Sequence, residues 1–238
     1  MKKTLILAAV AGMACTASAQ IGKGSLMAGL DFGFNSNNTQ YSTTNGGTTT
    51  DGQKGSGSNF NLTPNLQYFL AENLSVGLGF GINNGKNTYD YPESGGVTQK
   101  SINKNNGTEF NLFARKYINC GTNFYTFLQL GYSMYGSKST NEQSTTVVAT
   151  NTTTTTTTTS EYSSNSVGLN LGFAWSITPK ILLQGSMGGL SYNMYKQKYN
   201  ISADGKNYNS YKGSGLNFSL YSSDYPFNLG FAYRLTGN

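Results

Sequence analysis

Between residues 227 and 235, every second residue is large and apolar, and small or polar residues fill the positions between them. Successive side chains of a β-strand point to opposite faces, so this segment predicts a strand with one apolar face and one small or polar face. The same alternation recurs along the chain and is regular in 74–82, where Ser75 and three glycines separate the apolar residues. A chain with this pattern is predicted to be all-β.

Eight segments show the pattern, and the last two change phase within their length. In 181–195 the change predicts a β-bulge near Gly188 and Gly189. We interpret 213–235 as one long strand broken near 222–226, where Pro226 is tolerated at a bulge, with two shorter strands as the alternative. The predicted strands are 26–34, 60–68, 74–82, 110–114, 124–134, 167–177, 181–195 and 213–235.

The connections between these segments alternate strictly between two lengths. The tight turns are 70–73, 119–122 and 178–180. The long connections, rich in Asn, Thr, Ser, Gly and Lys, are 36–57, 84–106, 137–162 and 196–212. Short turns on one side and long loops on the other are typical of barrels that cross an outer membrane with both termini in the periplasm. A soluble β-sandwich gives no reason for such sorting.

These patterns predict an eight-stranded antiparallel up-and-down transmembrane β-barrel in the cell outer membrane, with long external loops. Mean hydropathy is −0.39, and no run after Ala19 approaches the ~18 apolar residues of a membrane helix, which excludes a helical membrane protein. Aromatic residues collect near the strand ends, as in girdles at headgroup level. These residues are Tyr68, Tyr117, Phe124, Trp175 and Tyr233 beside the short turns, and Tyr132, Tyr135, Tyr192 and Tyr195 toward the long loops.

The first 19 residues read as a secretory signal peptide. Lys2 and Lys3 precede an apolar run, and Ala17-Ser18-Ala19 supplies a small-x-small cleavage site. Cys15 offers an alternative as a lipoprotein cysteine, but the Leu usual three places before such a cysteine is absent. We therefore divide the chain into a signal peptide, 1–19, and a β-barrel domain, 20–238.

The phase of the strands places several ionisable and amide side chains on the lumen side. An eight-stranded barrel has an interior just wide enough for side chains to fill, and an unpaired buried charge is costly. We therefore predict a static polar network that fills the lumen. A gated pore for small solutes, in which Asp31 or Glu109 switches partners, is the alternative. The predicted network residues are Asp31, Gln67, Glu109, Arg115, Gln129 and Arg234.

Taken together, the signal peptide, the eight alternating segments, the turn sequence Tyr-Phe-Leu-Ala-Glu-Asn-Leu at 68–74 and the C-terminal strand resemble the outer-membrane β-barrel domain family. This porin-like group is related in shape to the OmpA and OmpX barrels, and the present version is most similar to those of Bacteroidetes. Asn228, Gly230, Tyr233 and Leu235 resemble the sorting signal of such barrels. The resemblance implies contact with outer-membrane lipid and, during insertion, with the barrel-assembly machinery.

Nothing in the composition indicates catalysis, a cofactor or a metal. The chain has no His, on which outer-membrane barrel enzymes rely as a base or orienting group, and only Cys120 remains after the signal peptide. The net charge of +6 includes Lys2 and Lys3, and the other lysines are scattered through the loops. We interpret them as solvated loop charges and expect no nucleic-acid partner. Contact with anionic lipid headgroups or sugars is a weaker alternative.

The polar connections carry the remaining functional information. Eight consecutive Thr residues, 152–159, bury too little apolar area to order themselves and are expected to be mobile. Tyr and Asn dominate 196–212, a composition that suits contact surfaces. Our first hypothesis is a structural or surface-interaction barrel with no enzymatic activity and an unidentified external ligand. The alternatives are a porin-like narrow channel for small solutes and a soluble secreted β-sandwich adhesin.

Overall fold

The alternating segments form nine β-strands. The computed structural model describes residues 22–45, 48–201, 205–219 and 228–236, so the signal peptide lies outside the described residues. Within those ranges, no helix has the length and apolar character needed to cross a membrane. The strands are β1 (Leu26–Asn45), β2 (Thr48–Ala71), β3 (Leu74–Ser94), β4 (Val97–Asn119), β5 (Phe124–Val147), β6 (Thr152–Thr178), β7 (Ile181–Tyr199), β8 (Asn209–Ser219) and β9 (Asn228–Thr236).

All strand pairs are antiparallel, and the sheet closes on itself. Strands β1 to β7 pair in chain order. Strand β9 then pairs with β7 on one side and with β1 on the other, which completes a ring. Strand β8 pairs with the remaining half of β7, so β8 and β9 share the eighth position. The eight-stranded up-and-down barrel is confirmed. The β-sandwich alternative is wrong, because one closed sheet replaces two stacked ones.

Strand β7 contains the predicted bulge. Leu171 on β6 pairs with Gly188, but the next residue, Gly172, pairs with Ser186, so one residue of β7 has no partner. The φ angle of Gly188 is 104°, in a region that glycine adopts without a Cβ clash. The part of β7 before the bulge, 181–186, pairs with β9, and the part after it, 189–199, pairs with β8. The predicted break near 222–226 lies outside the described residues.

The three predicted tight turns are confirmed. Residues 72–73 join β2 to β3, 120–123 join β4 to β5, and 179–180 join β6 to β7. At the first of these turns Asn73 has a φ of 58°, which Asn tolerates better than most residues. These turns all lie at one end of the ring, called here the turn end.

The long connections are mostly strand, which corrects the prediction of long loops. Strands β1 and β2, β3 and β4, and β5 and β6 stay paired almost to their tips, as in Ser94 with Val97 and Val147 with Thr152. Gly95 and Gly96 both have positive φ, 63° and 77°, as a two-residue hairpin turn requires. Because both faces of these outer segments are polar, they lack the apolar alternation from which strands are recognised.

The Thr tract at 152–159 is also strand, contrary to the expected mobility. It pairs residue by residue with 140–147 of β5. Two features favour this arrangement. Thr is β-branched and suits strands, and hydroxyl pairs link the two strands, with Thr146 Oγ1 and Thr153 Oγ1 2.8 Å apart and Ser144 Oγ and Thr155 Oγ1 3.0 Å apart.

An apolar belt covers the outside of the ring beside the turn end. About 9–11 residues of a tilted strand cross a membrane, whereas β1 to β7 each have 19 to 27 residues. The strands therefore cross the apolar zone and continue as polar β-hairpins beyond it. The last exposed large apolar residues before the polar parts are Phe34, Phe60, Ile82, Phe110, Met134, Val167, Met194 and Leu216.

Candidate functional site

The lumen is closed near the turn end by a layer of apolar and aromatic side chains. Every member is at most 3% exposed. They come from seven strands, so the layer extends across the ring, and β3 adds the fully buried Ser75. The members of this apolar layer are Met27, Phe69, Tyr117, Tyr125, Phe127, Ala174, Leu182 and Ala232.

Tyr117 stands at the centre of the apolar layer. Its ring centroid lies 5.7 Å from that of Phe69, 6.2 Å from that of Tyr125 and 5.7 Å from that of Phe127. Gly172 makes room for this packing, because a Cβ there would collide with the Phe127 ring. The assignment of Tyr117 to an outer girdle was wrong, since it points into the lumen and is 1% exposed. Tyr68, Trp175 and Tyr233 do face outward.

Arg115 lies on the polar side of this layer and is 6% exposed. Its Nε and Nη2 donate to Gln129 Oε1 at 2.9 and 2.6 Å, and its Nη1 donates to Gln184 Oε1 at 2.7 Å and to the Tyr117 hydroxyl at 3.1 Å. The guanidinium carbon stands 4.2 Å from the centroid of Phe127, within cation–π range. The buried charge is therefore held by three acceptor side chains and by an aromatic face.

Hydrogen bonds extend from Arg115 in two directions. On one side, Gln184 Nε2 donates to Asp31 Oδ1 at 3.2 Å, and Asn65 Nδ2 donates to Asp31 Oδ2 at 2.8 Å. Gln184 thus bridges the lumen cation and the lumen carboxylate. On the other side, the Tyr117 hydroxyl donates to Gln67 Oε1 at 3.1 Å. These contacts tie β1, β2, β4, β5 and β7 together across the barrel interior.

The structure brings four of the six proposed network residues into this one network: Asp31, Gln67, Arg115 and Gln129. The other two lie apart from it. Glu109 lines the cavity above the network and accepts a hydrogen bond from Asn111. Arg234 lies at the turn end, where it pairs with Met27 in the ladder, and its buried Nε has no hydrogen-bond partner among the described residues.

Sequence reasoning missed three groups that complete the network: Asn65, Gln184 and the Tyr117 hydroxyl. Asn65 has the same strand phase as Gln67 and could have been included on that ground. Gln184 precedes the bulge in β7, so its inward direction follows only if the bulge is placed after it. The inward direction of Tyr117 is hidden in the sequence because aromatic residues occupy both faces of the strands near the turn end.

A polar cavity of about 320 Å³ lies above the network. Its walls carry Thr63, Asn111, Ser133, Ser166, Asn170 and Ser191, and its floor carries Asp31, Arg115 and Gln129. Such a lining suits water or a small polar solute. Among the described residues there is no group of three His, Cys, Asp or Glu side chains placed to hold a metal ion.

Four tyrosines line the lumen farther from the turn end. Tyr162 lies between Tyr135 and Tyr195, at centroid distances of 6.1 and 6.0 Å, and Tyr195 lies 5.9 Å from Tyr211. The four side chains come from β5, β6, β7 and β8 in turn. The assignment of Tyr135 and Tyr195 to a girdle was therefore wrong. Because they stack across neighbouring strands, they order the wall where it leaves the apolar belt.

Residues 18–187 match the family described as outer membrane protein beta-barrel domain. The match covers well over half of the chain. The chain belongs to this family. Its place is thus the cell outer membrane, as the strand pattern predicts. No individual curated protein matches the sequence.

Several solved outer-membrane proteins are similar in structure to this family member. The ferric yersiniabactin uptake receptor FyuA from Yersinia pestis has 11% identity and a TM-score of 0.43, with 90% of this chain and 33% of that chain covered. The outer membrane protein OprG from Pseudomonas aeruginosa has 16% identity and a TM-score of 0.37, covering 91% and 99%. Ail, the attachment invasion locus protein of Yersinia pestis, has 12% identity and a TM-score of 0.33, covering 90% and 99%. The outer-membrane barrel thus spans about a third of the length of FyuA.

The four residues that resemble a sorting signal lie on β9 of this outer-membrane barrel. Tyr233 and Leu235 point outward and are about half exposed, and Asn228 pairs with Ser186 on β7. Gly230 points inward, where an added Cβ would collide with Asp31 Oδ1 and approach the Leu30 carbonyl oxygen to 2.9 Å. Packing alone therefore gives a reason for glycine at this position, whatever its role in sorting.

Proposed function

We propose that this outer-membrane barrel is a sealed scaffold that presents polar β-hairpins to the surroundings of the cell, and that it neither conducts solutes nor catalyses a reaction. The apolar layer is the observation that carries the proposal. Its side chains reach in from seven strands and leave at most 3% of any member exposed. Above it, Arg115 and its amide partners fill the lumen a second time.

The hairpins supply the interaction surface. Strands β3 to β6 continue for about ten or more residues beyond the apolar belt, and the outward faces of these parts carry Ser, Thr, Asn and Lys. Backbone pairing orders the hairpins as far as their tips. A partner would therefore meet a preformed surface, and binding would cost little conformational entropy. The exposed tip of the β5–β6 hairpin, 148–151, lies at the end of strands of 24 and 27 residues, opposite the turn end. In this proposal the tips are external and both termini are periplasmic.

A narrow channel is the alternative that the cavity above the network favours. The cavity of about 320 Å³ stops at Arg115, however, and the apolar layer lies beyond it. A solute could pass only if Tyr117 and Phe127 left their positions, which would break the hydrogen bonds of the Tyr117 hydroxyl to Arg115 and Gln67. Sealing by two successive layers supports a scaffold over a pore.

An enzymatic role has no support in the arrangement of the lumen. The two lumen carboxylates differ in surroundings, with Asp31 held by Gln184 and Asn65 and Glu109 held by Asn111. None of these partners is a nucleophile or a base of the kind that hydrolytic barrels use. We therefore assign Asp31 and Arg115 to the support of the barrel interior.

Labelling with a membrane-impermeant maleimide on intact cells tests the proposed orientation. Cys120 lies in the turn between β4 and β5, at the turn end. A Cys120→Ser, Thr150→Cys variant moves the thiol to the tip of the β5–β6 hairpin. We expect intact cells to label the variant, and the wild-type protein to be labelled only after the outer membrane is permeabilised.

Wild-type protein and variant are matched controls for each other, since each carries one thiol, at one end of the same barrel, once the predicted signal peptide with Cys15 is removed. Labelling of Cys120 on intact cells, with Thr150→Cys protected, would place the hairpins in the periplasm. The surface-interaction proposal would then fall, while the fold would be unaffected.

A further inference from the structure

An incomplete collar of lysines lies on the outside of the barrel beyond the apolar belt, on six of the strands. On β7 the outward residues Tyr192 and Met194 are followed at the next outward position by Lys196. On β8 the outward residue Leu216 is followed by Ser214 and then Lys212. On β3 and β5 the lysine lies two outward positions beyond the last apolar residue, and on β2 and β4 it lies three positions beyond. The collar residues are Lys54, Lys86, Lys104, Lys138, Lys196 and Lys212.

The heights of Lys196 and Lys212 correspond to lipid headgroups. Two residues advance about 6.7 Å along a strand, and a tilt of about 40° turns this into about 5 Å of height. Lys196 is therefore about 5 Å above Met194, and Lys212 about 10 Å above Leu216. The headgroup region extends about 5–8 Å beyond the hydrocarbon on each side of a bilayer. The long side chain of Lys212 can reach down into it.

Lys196 and Lys212 lie directly opposite each other in the β7–β8 ladder. Directly opposed side chains of like charge destabilise a sheet. Within the described residues no carboxylate forms an ion pair with either lysine, although Glu161 pairs with the neighbouring Lys198 at 3.6 Å. The pair therefore places two positive charges side by side, and an anion from outside the chain would stabilise them.

A second pair of directly opposed lysines in the collar has a carboxylate of the chain beside it. Lys86 and Lys104 are also direct partners, on β3 and β4. There the Glu142 carboxylate accepts a hydrogen bond from Lys104 Nζ at 2.9 Å. The contrast shows what the Lys196–Lys212 pair lacks, a negatively charged oxygen beside the two ammonium groups.

We propose that Lys196 and Lys212 bind a phosphate group of a lipid headgroup in the leaflet that surrounds the hairpin side of the barrel. A phosphate offers several acceptor oxygens to two ammonium groups. The acyl chains of the same lipid would cover the apolar belt at Met194 and Leu216. The inference that this leaflet is the outer one rests on the proposed function. The lipid contact itself does not depend on a sealed lumen or on orientation.

Native mass spectrometry of the detergent-solubilised full-length protein tests this site, with diphosphoryl lipid A and phosphatidylcholine as probes. We expect the wild-type protein to retain lipid A in preference to phosphatidylcholine. A Lys196→Gln, Lys212→Gln variant should bind lipid A roughly 10- to 30-fold more weakly, because each basic residue near a lipid surface contributes about fivefold to the affinity.

The matched control is a Lys23→Gln, Lys180→Gln variant, which loses the same charge at the turn end. Its binding of lipid A should equal that of the wild-type protein. A heat-dependent shift in gel migration verifies that each variant forms a barrel. Equal loss of binding in both variants, unchanged binding in the first, or equal retention of lipid A lacking its phosphates would each overturn the proposal.

Discussion

At the scale of single residues, Arg115 explains how a charge is kept inside a narrow barrel. Its planar fork reaches Gln129, Gln184 and Tyr117 at once, and its face stacks on Phe127. Lysine could not replace it, since an ammonium lacks the fork and is more strongly hydrated. The amide acceptors are neutral and do not balance the positive charge of Arg115. That charge is balanced by the Asp31 carboxylate, which accepts a hydrogen bond from the far end of the Gln184 amide.

Substitution of Gly230 can distinguish a role in packing of the barrel from a role in the sorting signal. We predict that Gly230→Ala destabilises the barrel by about 1–3 kcal/mol, the usual cost of overpacking, because the new methyl group meets Asp31. The measurement is urea unfolding after refolding into lipid vesicles, in which no assembly machinery is present.

Asp31→Ala combined with Gly230→Ala is the matched control for that substitution. Because the carboxylate also compensates the charge of Arg115, Asp31→Ala alone is expected to destabilise the barrel, and the loss in the combined variant should be smaller than the sum of the two single losses. If Gly230→Ala refolds in vesicles with wild-type stability but fails to accumulate in the outer membrane of cells, the packing explanation is wrong. The role of Gly230 as part of a sorting signal would then be the better account.

At the scale of strands, β6 combines a part within the ring and a part beyond it. Leu169 pairs with Leu130 on β5 and Leu190 on β7, whereas Thr155 pairs only with Ser144 on β5 among the described residues. We predict that Thr155→Pro changes barrel stability by less than about 1 kcal/mol, and that Leu169→Pro costs about 3 kcal/mol or more. Urea unfolding in vesicles measures both.

Each substitution replaces one residue of β6 by proline and so removes one backbone N–H group from the same strand. Each variant is therefore a control for the other. Equal destabilisation would mean that the hairpin and the ring unfold as one cooperative unit. That result would contradict the description of the hairpins as extensions supported by the ring.

The strands of the ring followed from the sequence, and those of the hairpins did not. In 74–82 large apolar residues alternate with Ser and Gly because one face meets lipid and the other a narrow lumen. In 84–94 both faces of β3 are polar, so the pairing that continues there leaves no hydropathy signal. The Gly95-Gly96 turn was a usable signal, since two adjacent positive φ angles specify a hairpin.

At the scale of the whole molecule, the sequence indicated a filled lumen but gave only part of its filling. Arg115 and Gln129 follow from strand phase alone, and they are direct partners in the ladder. The apolar layer around Tyr117 could not be read in the same way, because Phe69 and Phe127 interrupt the alternation near the turn end with large residues on both faces. Which of these faces points inward is fixed only by closure of the ring.

Current through planar lipid bilayers that contain the purified, refolded wild-type protein tests the central claim most directly. Because the apolar layer and the Arg115 network both cross the lumen, we predict no stable conductance above the bilayer background. A Tyr117→Ala, Phe127→Ala variant that still shifts in gel migration on heating should conduct. Steady unitary conductance of the wild-type protein would contradict the sealed scaffold and establish a channel.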